Sequence, residues 1–69
     1  MNGCALVLDT VTYAMKGEGI LKRMGIVCRV VKTTVDGSCK YSLVLSCSEV
    51  MRARDILLRE GVPVYRMEG

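Results

Sequence analysis

The order of apolar and polar residues in the first third of the chain predicts a strand followed by a helix. Residues 4–8 (CALVL) form a short apolar run that Asp9 and Thr10 close, as in a buried strand that leads into a helix cap. Apolar residues then recur at helical spacing across residues 11–24, and Gly25 supplies a stop.

The middle of the chain has the alternation of a β-hairpin. Residues 26–32 alternate around β-branched side chains, and residues 39–45 do so again. The Val-Asp-Gly sequence at residues 35–37 lies between them and is typical of a turn. We therefore expect two paired strands with a fairly long loop.

The last third repeats the helix and strand signals. Ser46 and Glu49 have the spacing of a capping box, and an apolar stripe of helical period follows until Gly61. Pro63 restricts the segment after it to the edge of a sheet, so residues 64–67 are expected to form a short edge strand.

The predicted order is strand, helix, strand, strand, helix, strand. Right-handed crossovers then favour an α+β fold, a ferredoxin-like βαββαβ sandwich over residues 1–69. Its four antiparallel strands would lie in the order 4-1-3-2, with both helices on one face. The other face would carry an uncovered apolar strip, which predicts a homodimer; the strip consists of Ala5, Val7, Val31 and Val44.

Composition narrows the classes of function. The 69 residues are 51% hydrophobic but include no Phe, no Trp and three Tyr, and the net charge is +3. Few bases could stack on such a surface, so we expect no nucleic-acid partner. The absence of histidine removes the usual catalytic bases, and we expect neither an enzyme nor a cofactor. No apolar run could span a membrane and no signal peptide is evident, so we expect a soluble, cytoplasmic protein.

Sulfur is the remaining reactive chemistry, and the topology places one cysteine apart from the others. Cys39 opens the third strand, at the end of the sheet where the first helix begins. Amide donors at a helix N-terminus and nearby cations both favour a thiolate. The residues expected to supply them are Thr10, Thr12, Lys32 and Lys40.

The other three cysteines, Cys4, Cys28 and Cys47, are expected at the opposite end of the sheet. They are most simply explained as small core residues with free thiols, because no signal peptide indicates an oxidising compartment. Cys47 is also the rival candidate for the reactive thiol, because it lies just inside the capping box of the second helix, where helix position alone could activate it. A further alternative is a regulatory or soft-metal-binding module, dimeric and without covalent chemistry, in which the three sulfurs bind zinc or cuprous copper. Four methionines are expected to pack in the core: Met15, Met24, Met51 and Met67.

Taken together, these segments resemble the selenium/sulfur carrier-like family over nearly the whole chain. The segment at residues 10–15 (TVTYAM) is similar to that family's Ser/Thr-rich entry into its first helix, and residues 54–57 (RDIL) are similar to its second helix. Ser38 and Cys39 resemble its Ser-Cys-Gly element, although Lys40 stands at the glycine position.

The resemblance implies that Cys39, with Ser38 beside it, accepts sulfur or selenium as a persulfide or selenosulfide. The implied partners are a donor that is a cysteine desulfurase or resembles a selenocysteine lyase, and a downstream acceptor protein.

Overall fold

The computed structural model describes residues 3–68, and its six elements follow the predicted order. They are β1 (Gly3–Leu8), α1 (Val11–Arg23), β2 (Arg29–Val35), β3 (Ser38–Ser46), α2 (Cys47–Arg59) and β4 (Arg66–Glu68). Residues 1, 2 and 69 of the predicted domain lie outside the described residues.

The four strands form one antiparallel sheet in the order β2-β3-β1-β4. This is the predicted order 4-1-3-2 written from the other edge, and the α+β class is confirmed. Alternate strand positions face a core that they share with the buried sides of both helices, as side chains of period two and period 3.6 require. The largest completely buried members of this core are Leu6, Leu8, Leu21, Ile26, Leu43, Leu57 and Val62.

Local signals fix both ends of α1. The Thr10 hydroxyl accepts a hydrogen bond from the Tyr13 amide at 3.2 Å, which satisfies one of the amides that a helix start leaves free. At the other end Gly25 adopts φ 81°, and the Ile26 amide donates to the Leu21 carbonyl at 2.8 Å. Glycine enters this left-handed region at low cost, so the chain turns there and buries Ile26 against the helix it has left.

Close packing between α1 and the sheet depends on Gly17. A Cβ atom at this buried position would lie 3.1 Å from Leu43 Cδ1 and 3.3 Å from Leu57 Cδ2. Gly19 has no such neighbour within 4 Å. Of the two glycines within α1, only Gly17 is needed for the close approach of the helix to its neighbours.

The β2–β3 hairpin differs from its sequence prediction in two ways. β2 begins at Arg29, three residues later than predicted, because Ile26 belongs to the closure of α1. It then continues to Val35, so the turn is only Asp36 and Gly37, with φ 52° and 80°. Two consecutive residues with positive φ match the twist of a tight hairpin, and the longer predicted loop is wrong.

The expectation that four methionines pack in the core is also wrong. Met15, Met24, Met51 and Met67 are each 41–59% exposed. The core instead uses smaller side chains on the inner face of α1, where Ala14 and Gly17 let the helix approach the sheet. An apolar residue at helical spacing need not point inward when the buried stripe is this narrow.

The face of the sheet away from the helices is less open than predicted. Val7 has no exposed surface, and its cross-strand partner Ser42 is 6% exposed. Lys40 lies on the same face as Ser42, and its Nζ is 4.7 Å from the centroid of the Tyr65 ring, so both side chains cover this end of the face. Val31 remains 41% exposed. The predicted homodimer thus retains only part of its apolar strip and stays a prediction.

Candidate functional site at the hairpin end of the sheet

Cys39 is the second residue of β3, directly after the tight hairpin turn. It pairs across the hairpin with Thr34, and Ser38 pairs with Val35. The Cys39 side chain is exposed and its thiol is free. The hairpin therefore presents this sulfur to solvent, as predicted.

The start of α1 lies at the same end of the sheet. The pairing of β1 with β3 ends at Leu8 opposite Tyr41, and Cys39 lies two residues beyond that pair. The chain from Leu8 enters α1 at Val11, so the first turn of the helix begins beside this part of β3. Of the two threonines predicted there, Thr10 uses its hydroxyl to cap α1, and Thr12 is exposed in the first turn.

The two predicted lysines lie on opposite faces of the sheet. Lys32 is opposite Tyr41, which places it on the Cys39 face and diagonal to Cys39 across the hairpin. Lys40 is the strand neighbour of Cys39, so its side chain projects from the other face. Of this pair, Lys32 is the cation that shares the Cys39 face.

Lys40 instead belongs to a polar network that the sequence analysis did not identify. Its Nζ forms an ion pair with Asp9 at 3.1 Å and lies over the Tyr65 ring, while the Tyr65 hydroxyl donates to Asp36 Oδ2 at 3.3 Å. The contacts tie the start of β4 to the hairpin turn. The last β1–β3 pair is Leu8 with Tyr41, so extending it by one residue would have suggested that Asp9 lies opposite Lys40. The contact between Tyr65 and Asp36 has no such signal in the sequence around Tyr65.

Cys28 is the second free thiol, and its surroundings differ from those of Cys39. It is partly buried against the core just before β2, in a pocket of about 250 Å³ that includes Glu18 and Lys22. Burial raises the pKa of the Cys28 thiol, and the negative charge of Glu18 raises it further. At neutral pH this sulfur is therefore held in its less reactive thiol form.

Cys4 and Cys47 form a disulfide, with their Cα atoms 4.9 Å apart. The expectation of free thiols is therefore wrong for these two residues. They meet because of the register of β1 against β3, in which Gly3 pairs with Ser46. Cys4 directly follows Gly3, and Cys47 directly follows Ser46. Neither sulfur offers a thiolate to a metal while this bond exists.

The alternative metal site at Cys4, Cys28 and Cys47 finds no support in this arrangement. Within residues 3–68, no three or more His, Cys, Asp or Glu side chains are grouped so that they could hold a metal ion. The same part of the chain contains no helix long and apolar enough to cross a membrane.

The fold and the site define a small α+β domain that presents an exposed free thiol from a β-hairpin. Residues 3–67 match the model of the family described as "Putative Se/S carrier protein-like", and the chain belongs to this family. No curated protein and no solved structure matched the chain. The family description names a carrier of selenium or sulfur, which implies a partner protein to exchange the cargo.

Proposed function

We propose that this protein is a non-enzymatic carrier that accepts sulfur or selenium on Cys39 and passes it to a partner protein. The observation that carries the proposal is the state of the four cysteines, all of which lie within the described residues. Cys39 is exposed and free, Cys28 is partly buried, and Cys4 and Cys47 are bonded to each other. A member of a Se/S carrier-like family thus has one readily accessible thiol.

The transfer itself requires little from this chain. The Cys39 thiolate attacks the outer sulfur of a cysteine persulfide on a donor such as a cysteine desulfurase. The donor's sulfur–sulfur bond breaks, its cysteine leaves as a thiolate, and a persulfide forms on Cys39 with no net oxidation. A selenocysteine lyase-like donor would supply selenium in the same way, giving a selenosulfide.

The surroundings of Cys39 suit this exchange between proteins. Its position at a hairpin end lets a partner's cysteine approach along the line of the breaking bond, without a substrate pocket in this chain. Lys32 on the same face supplies a positive charge that favours the anionic persulfide. Thr34, the residue opposite Cys39, is also exposed, so both members of this cross-strand pair face solvent.

The experiment is to incubate the purified protein with a cysteine desulfurase and cysteine, and to measure its intact mass without reductant. We expect a gain of one sulfur atom, which peptide mapping assigns to Cys39. Cys39→Ser should abolish the gain. Cys28→Ser is the matched control, because it removes the other free thiol and should leave the gain unchanged.

Release of the sulfur tests the second half of the proposal. Addition of a dithiol to the loaded protein should remove the added sulfur from Cys39 and liberate sulfide, because a thiolate attacks the outer sulfur of a persulfide and releases the Cys39 thiolate. No mass gain, or equal loading of Cys28 and Cys39, would contradict the assignment of Cys39 as the acceptor.

A further inference from the structure

The disulfide lies at the opposite end of β3 from Cys39, and the sheet positions its two cysteines. Cys4 pairs with Leu45 and Gly3 pairs with Ser46, the residue before Cys47. Because these pairs are formed by the backbone, they would keep the two cysteines beside each other in a folded chain without the sulfur–sulfur bond. A reduced pair would therefore remain in place to form the disulfide again.

The two sulfurs differ in access. Cys4 is 8% exposed and belongs to the buried core cluster. Cys47 is partly exposed and is the first residue of α2. An incoming thiol therefore reaches the sulfur of Cys47 before that of Cys4.

The start of α2 also suits a thiolate at Cys47. The Ser46 hydroxyl accepts a bond from the Ser48 amide at 3.4 Å, and the other first-turn amides direct their partial positive charge toward the helix start. Glu49 brings a negative charge into the same turn, but Arg52 lies 4.0 Å from its carboxylate. Helix N-termini stabilise thiolates, so Cys47 is a good leaving group once it is part of a mixed disulfide with a small thiol.

We propose that the Cys4–Cys47 disulfide is redox-active in the folded protein and exchanges with low-molecular-weight thiols through Cys47. A thiolate attacks the Cys47 sulfur, the bond to Cys4 breaks, and Cys4 leaves as a thiolate that takes a proton from water. A second thiolate then attacks the outer sulfur of this mixed disulfide and releases the Cys47 thiolate. The two thiols are oxidised to one disulfide, and the protein gains two electrons as a dithiol.

The first experiment uses the Cys28→Ser, Cys39→Ser double variant, in which only this pair remains. It is equilibrated with reduced and oxidised glutathione in native buffer, and the bonded fraction is measured by alkylation and mass. We expect reversible interconversion while circular dichroism shows a folded protein. Reduction that occurs only as the protein unfolds in urea would overturn the proposal and leave a purely structural disulfide.

The second experiment identifies the sulfur that is attacked. In the same background, Cys4→Ser leaves Cys47 alone and Cys47→Ser leaves Cys4 alone, so the two variants lack the disulfide equally. We expect oxidised glutathione to modify Cys47 roughly tenfold or more faster than Cys4, because Cys4 must first be exposed by local opening. Equal rates in two folded variants would refute the role of Cys47.

These outcomes are separate from the proposed carrier function, since neither experiment retains Cys39. A redox-inert disulfide would leave sulfur loading of Cys39 untouched, and a failure to load Cys39 would leave the disulfide exchange untouched.

Discussion

Reduction of the Cys4–Cys47 disulfide should greatly weaken a domain of this size. The bond joins residues 43 positions apart and so closes most of the chain into a loop. In the chain-entropy model the unfolded state loses about 13 cal/mol/K for a loop of this length, which corresponds to about 4 kcal/mol at 25 °C. A chain of 69 residues has a free energy of unfolding of about 3–10 kcal/mol in total. The exchange proposed above requires a reduced chain that is still folded, so the oxidised protein should lie in the upper part of this range.

The assay is urea denaturation followed by far-UV circular dichroism, with and without a dithiol reductant. For a urea m value of about 1 kcal/mol/M, the loss of about 4 kcal/mol lowers the transition midpoint by about 4 M. The m value should rise modestly on reduction, because an unfolded chain without the crosslink exposes more surface. Each single free-thiol variant, Cys28→Ser or Cys39→Ser, should show the same shift as the parent.

A double Cys4→Ala, Cys47→Ala variant provides the second control, because its midpoint should be insensitive to the reductant. The reasoning would be refuted if full reduction of the parent, verified by alkylation, changed the free energy of unfolding by less than about 1 kcal/mol. In that case residual structure would keep Cys4 and Cys47 close together in the unfolded chain without the disulfide, or the bond would strain the native state.

Two further predictions use matched variants. Iodoacetamide at neutral pH should modify Cys39 faster than Cys28, because burial and Glu18 raise the pKa of the Cys28 thiol. Glu18→Gln should lower this pKa. Alkylation followed by mass spectrometry should then show faster modification of Cys28 and an unchanged rate for Cys39. Gly19→Ala should stabilise the protein by about 0.5–1 kcal/mol in urea denaturation, because it removes backbone freedom from an exposed helix position. Gly17→Ala should destabilise the protein by about 1 kcal/mol, because the added Cβ atom would crowd two core leucines. Equal effects of the Gly17→Ala and Gly19→Ala substitutions would contradict this packing argument.

The parts of the fold that the sequence predicts well are those governed by local chemistry. Gly25 and Gly61 end the two helices with φ of 81° and 82°, and Thr10 and Ser46 cap their starts. Each signal acts within a few residues, so it can be read without tertiary information. The sheet order followed from the same elements, because handedness and connection rules leave few ways to arrange them.

The parts that could not be predicted depend on distant segments. Cys4 and Cys47 were expected at the same end of the sheet, but only the register of β1 against β3 makes them immediate neighbours. Four cysteines permit three fully paired arrangements as well as free thiols, and spacing does not choose among them. The contact between Tyr65 and Asp36 is similarly hidden, since 29 positions separate them.

The placement of the cysteines would also protect the proposed cargo on Cys39 from the other thiols of the chain. Cys39 lies near the start of β3, and Cys47 directly follows its last residue, eight positions later. At about 3.3 Å per strand residue, the two cysteines are roughly 26 Å apart. Cys28 precedes Arg29, whose partner is Val44, so it too lies toward the far end of the hairpin. A thiol in contact with a persulfide would attack it and release sulfide. Because this sheet keeps the other three cysteines away from Cys39, a sulfur atom carried there, as we propose, would leave only by reaction with another molecule.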